Sequence, residues 1–177
     1  MIYNKTKIKN KYQLAILSVL SKLKNGLILE RIMLKPLQEW ICDTCGKTIH
    51  SAEDGYVIWR HDIDQRDFDF KIIHKFVCEP PSFPSSVPLT EFLGSKGSTY
   101  LLSFISLGKI KARGRYRNYC HVLDFDEYVD LYRRVQIPYY EEARTKFNKP
   151  ALLAELEDAS ELHPYQEEVL KQIIEKY

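Results

Sequence analysis

The chain has 177 residues, of which 45% are hydrophobic and 28% charged. That mixture belongs to a folded protein rather than a disordered one, and the length suits one domain or a small module joined to a larger one. A net charge of only +2 excludes a uniformly basic coat, so a polyanion site has to come from local clustering.

The charge is clustered. Residues 1–40 carry a balance of +6, 41–80 of −3, 81–120 of +5 and 121–177 of −6. Such alternation suits self-association as well as polyanion binding. Residues 12–24 hold a dense apolar run of helical period, with Lys22 and Lys24 at its end and Gly26 as a stop. The run Leu14–Leu20 is short for a signal core, Lys22 interrupts it, and no small-x-small cleavage pattern follows. Nothing approaches the roughly 20 apolar residues of a membrane span, so a cytoplasmic location is expected. Met33 is a second candidate start, and 1–32 read as a basic helical appendage.

Next comes Trp40-Ile-Cys-Asp-Thr-Cys-Gly46. Two thiolates two residues apart on a tight turn can face one ion, and this spacing forms half of a tetrahedral site. The other half is expected at His74 and Cys78. Between the halves, the segments 55–60 and 68–75 are rich in β-branched and aromatic residues, and Asp62, Asp64 and Asp67 punctuate the turn, so 55–75 predict a β-hairpin. Cys42, Cys45, His74 and Cys78 then make a Cys₃His zinc ribbon, with His50, His61, Cys120 and His121 as rival ligands. A catalytic zinc keeps one position open for water. Four protein ligands leave none, which favours structural zinc over a zinc-dependent hydrolase.

Residues 79–88 contain four prolines and three serines and read as a linker or an extended arm. Helices are predicted beyond it: one capped by Ser98 or Thr99 and stopped by Gly108; one opening with Asp124 and Glu127 at capping-box spacing and kinked or split by Pro138; one starting at Pro150; and one with Pro164 at its first position. Tyr128, Tyr132, Val135 and Tyr139 share a face, and Glu141 and Glu142 read as helix surface. Lys109, Lys111, Arg113, Arg115 and Arg117 occupy every second position, so an extended strand would present them as one cationic row, with Tyr116 and Tyr119 as stacking surfaces.

The segments "WICDTCG", "EDGYV", "LLSFISLG" and "RRVQIPYYEEAR" resemble stretches shared by a group of small uncharacterised bacterial proteins, mainly from Bacillus-like organisms. The resemblance spans most of 38–147 and implies a bacterial cytoplasmic source and a layout of knuckle plus helices; it implies no substrate. The basic row at 109–117 departs from that group.

The expected fold is therefore α+β: a zinc-stapled β-hairpin at 33–79, a Pro/Ser-rich arm at 80–88 and a small helical bundle at 89–177. The expected function is that of a non-enzymatic zinc-binding protein that contacts nucleic acid in a regulatory or accessory role, the alternative being a protein–protein interaction module.

Overall fold

The computed structural model describes residues 33–82, 85–111 and 120–177. The basic appendage at 1–32, and Arg113, Arg115, Tyr116, Arg117 and Tyr119 of the cationic row, lie outside the described residues. The described residues have an α+β architecture, with two small antiparallel sheets and six α-helices.

Strands β1 (Trp40–Ile41) and β2 (Thr48–Ile49) flank the cysteine turn and pair with each other. The hairpin forms as the sequence predicts, from β3 (Gly55–His61) and β4 (Asp67–His74), with Gly55 opposite His74 and His61 opposite Asp67. Its register shifts between Ile58 and Arg60, where β4 carries one extra residue. Asp69 adopts φ +56° there, a left-handed conformation that a short polar side chain tolerates. The proline arm ends as a strand: β5 (Ser85–Pro88) pairs with β3 and gives the order β4-β3-β5. Proline at the last position of an edge strand costs no ladder hydrogen bond.

The outer margin of β4 is occupied at three points. The Asp69 N–H donates to Glu127 Oε2 at 2.6 Å, and the Ile72 N–H donates to Asp43 Oδ2 at 2.7 Å. At Asp67 a parallel bridge to Val122 includes a 2.9 Å bond from the Leu123 N–H to the Asp67 carbonyl.

Helix α1 (Gly94–Ile105) begins four residues before the expected Ser98 cap; Ser98 Oγ instead donates back to the Gly94 carbonyl within the first turn. A single turn, α2 (Gly108–Lys111), follows. Lys109 and Lys111 are therefore helical and exposed, and side chains two apart on a helix project about 200° apart, so they do not share the face an extended strand would give them. Helix α3 (Phe125–Gln136) is capped as expected, with Asp124 Oδ1 accepting from the N–H groups of Asp126 and Glu127. The reciprocal half of the capping box is missing because Glu127 reaches across to β4. Pro138 does split the helix: Ile137 before it is extended, Tyr139 after it has φ +66°, and α4 (Tyr140–Ala143) restarts the chain in a new direction. Helix α5 (Pro150–Leu156) starts on its proline, and α6 (Glu167–Lys176) follows a 3-10 turn that contains Pro164.

One apolar cluster joins the knuckle, the sheet, α1 and α3; it includes Trp40, Ile49, Val57, Ile72, Phe92, Leu101, Leu131 and Val135. Within it Trp59 meets Phe104 edge-on at 5.4 Å, and Phe70 meets Tyr128 edge-on at 5.8 Å. A second cluster holds α4 to α6 together through Tyr140, Leu152, Leu170 and Ile174. The hairpin residues are thus core residues of the larger unit.

Candidate metal centre

The turn Cys42–Gly46 is shaped by its own backbone. The Gly46 N–H donates to the Cys42 carbonyl at 2.9 Å, the Cys42 N–H donates to the Lys47 carbonyl at 2.9 Å, and Gly46 takes φ +71°, which residues with a side chain adopt only at a cost. This folds Cys42 and Cys45 toward one point. His74 ends β4, and a bond of 3.3 Å from the Cys78 N–H to the His74 carbonyl turns the chain so that Cys78 returns beside it.

The four ligand atoms of Cys42, Cys45, His74 and Cys78 lie within 4.8 Å of one another, and the cluster could hold a metal ion. His74 Nδ1 is 3.5 Å from Cys45 Sγ and 3.8 Å from Cys78 Sγ. Its other nitrogen, Nε2, donates to the Thr48 carbonyl at 3.2 Å. That bond fixes the proton on Nε2 and leaves the Nδ1 lone pair facing the sulfurs, which is how metal-bound imidazoles are usually oriented. All four cysteines of the chain are free thiols, so none of the cluster is spent on a disulfide.

Electrostatics at the cluster are asymmetric. Burial opposes ionisation of Cys42, yet hydrogen bonding from the backbone of Cys45, His74 and Thr44 and from the His74 side chain prevails and lowers its pKa to about 6. Cys78 is pushed the other way, to about 11, first by desolvation and then by the neighbouring sulfurs of Cys45 and Cys42. Three sulfurs at this spacing cannot all ionise by themselves. A divalent cation among them removes the conflict, because a coordinating thiol is deprotonated outright.

Asp43, inside the turn, connects the centre to the helices. Its Oδ2 accepts from Arg134 Nη1 at 2.7 Å, and its Oδ1 accepts from Arg144 Nη2 at 3.1 Å. Arg134 is 3% exposed and also grips Glu141, through Nε at 2.7 Å and Nη2 at 3.0 Å. Burial works against the Arg134 charge, but Glu141 and Asp43 more than restore it and hold its pKa above the ordinary arginine range. Glu141 further accepts from the Ile41 N–H at 2.9 Å. Glu141 is thus a buried anchor and not helix surface, a correction with a clear cause: Pro138 redirects α4 so that Glu141 meets Arg134 behind the knuckle. In the sequence the one signal was an aspartate lodged inside the cysteine turn.

The rival ligands are placed elsewhere. His50 pairs with Glu39 at 3.1 Å, His61 faces Asp67 and Ser85, and Cys120 and His121 precede the bridge to β4. Among the described residues no helix is long and apolar enough to cross a membrane. Compared with protein-family models, curated proteins and solved structures, the chain matches none of them.

Proposed function

We infer that the cluster binds zinc and that the zinc is structural. A tetrahedral zinc with bonds of about 2.3 Å to sulfur and about 2.0 Å to nitrogen has sulfur–nitrogen edges of roughly 3.5 Å, and the two His74–cysteine separations are 3.5 and 3.8 Å. One observation carries the reading: three thiols and one correctly tautomerised imidazole, supplied by two segments about 30 residues apart in the chain, converge on one point. Four protein ligands fill the coordination shell, so the ion stabilises a scaffold and activates no water. The free thiols suit a reducing bacterial cytoplasm, the setting implied by the group the chain resembles.

The partner we assign to this scaffold is nucleic acid, in a regulatory or accessory role. The support is the charge pattern: the basic residues of 109–117 follow α1 directly, and Lys109 and Lys111 are exposed. Metal content by elemental analysis, on the full chain and on Cys42→Ser, tests the first statement; one zinc per chain in the former and none in the latter is expected. A salt titration of oligonucleotide binding tests the second. Log affinity should fall linearly with log salt, and Arg113→Ala with Arg115→Ala should flatten the slope by about two. No binding at low salt would reject the nucleic-acid reading and leave the zinc reading intact.

A further inference from the structure

The sheet brings together three residues that are far apart in chemistry-bearing pattern but adjacent in register. His61 is the last residue of β3 and Asp67 the first of β4, and the two are direct cross-strand partners. Ser85 opens β5 on the opposite flank of β3, across from Trp59. Trp59 and His61 are two apart on one strand and so project from the same face. The imidazole consequently lies between the hydroxyl and the carboxylate.

The atoms meet in a specific order. His61 Nε2 is 2.6 Å from Ser85 Oγ, and His61 Nδ1 is 2.5 Å from Asp67 Oδ1. This is the connectivity of a nucleophilic triad: hydroxyl to Nε2, carboxylate to Nδ1. The carboxylate is held rigidly and out of water. Asp67 is 4% exposed, and its backbone is clamped to the 121–123 segment through the His121 carbonyl and the Leu123 N–H. Oδ1 lies close to the ring nitrogen but off the hydrogen-bonding direction, an alignment that such groups often complete only with substrate present.

A cavity of about 300 Å³ adjoins His61 and Asp67, where Trp59, Phe104 and Leu107 meet the polar Gln65, Ser103 and His121. Trp59 is 7% exposed, and its indole N–H is turned to the Asp67 carboxylate, which helps to hold that group in place. None of these residues belongs to the metal cluster or the Arg134 network.

We propose that Ser85, His61 and Asp67 form a hydrolytic site for carboxylic esters, with Ser85 as nucleophile, His61 as general base and acid, and Asp67 as the residue that positions the imidazole. Ser85 Oγ bonds to the ester carbonyl carbon while its proton passes to His61 Nε2. The C–O bond to the alcohol then breaks, and the alcohol leaves with that proton. Water adds to the acyl-serine, giving one proton to His61; the acid departs, and the proton returns to Ser85. Motif reading cannot find such a site because its members come from three strands.

The test uses the full zinc-loaded protein with a fluorophosphonate probe, which phosphonylates activated serines with loss of fluoride and spares thiols, followed by p-nitrophenyl butyrate hydrolysis. The expected result is one adduct per chain, mapped to Ser85 by peptide mass. Ser85→Ala should abolish it, and His61→Gln should slow labelling and hydrolysis by at least about 100-fold, with the circular dichroism of both variants unchanged. Asp67→Asn should slow both and shift the pH profile of hydrolysis, which loss of a merely structural carboxylate would not do. An unlabelled wild-type chain, or labelling that persists in Ser85→Ala or His61→Gln, overturns the proposal; neither result bears on metal content or on the salt titration.

Discussion

Arg134 Nη1 and Asp43 Oδ2 lie 2.7 Å apart, so a guanidinium buried in α3 is bonded to the residue that immediately follows the first cysteine of the cluster. The same carboxylate oxygen accepts the Ile72 N–H from β4. The cysteine turn is thereby held in position by the helices and the sheet together, independently of the ion.

Arg134→Met should be among the most damaging single substitutions. It strands Glu141, 5% exposed, without its main counter-charge, and breaking one side of a buried pair costs about 3–5 kcal/mol. Glu141→Leu in the same chain should recover part of the loss. Urea midpoints for the two single variants and the double variant give the coupling; strict additivity would show that the pair is not energetically linked.

Zinc should raise the stability of the folded chain by about 4 kcal/mol when free metal is 1,000-fold above its dissociation constant. Chelation should therefore lower the melting temperature, and His74→Ala should melt at the same temperature with or without chelator. The check is a pair of calorimetric scans of each protein. A wild-type chain indifferent to EDTA would contradict the assignment of the ion as a staple.

Protons should be released when zinc binds, and unevenly. At pH 7 Cys42, lowered to about 6, is already largely thiolate, whereas Cys78, raised to about 11, still holds its proton and must give it up. Calorimetry in two buffers of different ionisation enthalpy should find about one proton fewer released by Cys78→Ser than by wild type. In the metal-free chain the sign for Cys42 is that of a depressed group. Its contribution is complete above the unfolded value of 9.0 and is lost as pH falls through about 6, so apo stability should decline across that window. Cys78 acts oppositely: its contribution is present below 9.0 and is lost as pH rises toward about 11.

Gly97 in α1 packs against the backbone of Phe92 so closely that a β-carbon would overlap the Phe92 carbonyl group. Backbone cannot swing aside as a side-chain tip can. Gly97→Ala should cost about 2 kcal/mol or more despite alanine's higher helix propensity, read as a lowered thermal midpoint with zinc content unchanged.

What the sequence made legible was local. Hairpin, cap and helix break were readable because turn residues, the Asp124 cap and Pro138 act within a few positions of themselves, and the convergence of Cys42, Cys45, His74 and Cys78 followed from one hairpin whose length was readable. The β5 strand was not, since Ser85–Pro88 has no alternating pattern and acquires its conformation only by pairing with β3. The start of α1 was misjudged because Ser98 bonds inside the helix, a use of serine that competes with capping. Glu141 was misplaced for a different reason: besides Arg144 three residues on, it bonds Arg134 seven residues back and the Ile41 N–H 100 residues back, and charge type alone does not announce a buried pairing.

The occupied flank of β4 reaches beyond the strand itself. Of the three contacts along it, the one at Ile72 comes from Asp43 of the cysteine turn, so a chain that lacks this carboxylate bares the middle of an exposed strand rim. Bare rims of this kind recruit other copies by strand-to-strand addition. Asp43 therefore guards solubility as well as shape, and turbidity that rises with protein concentration in Asp43→Ala would be the visible sign of that second duty.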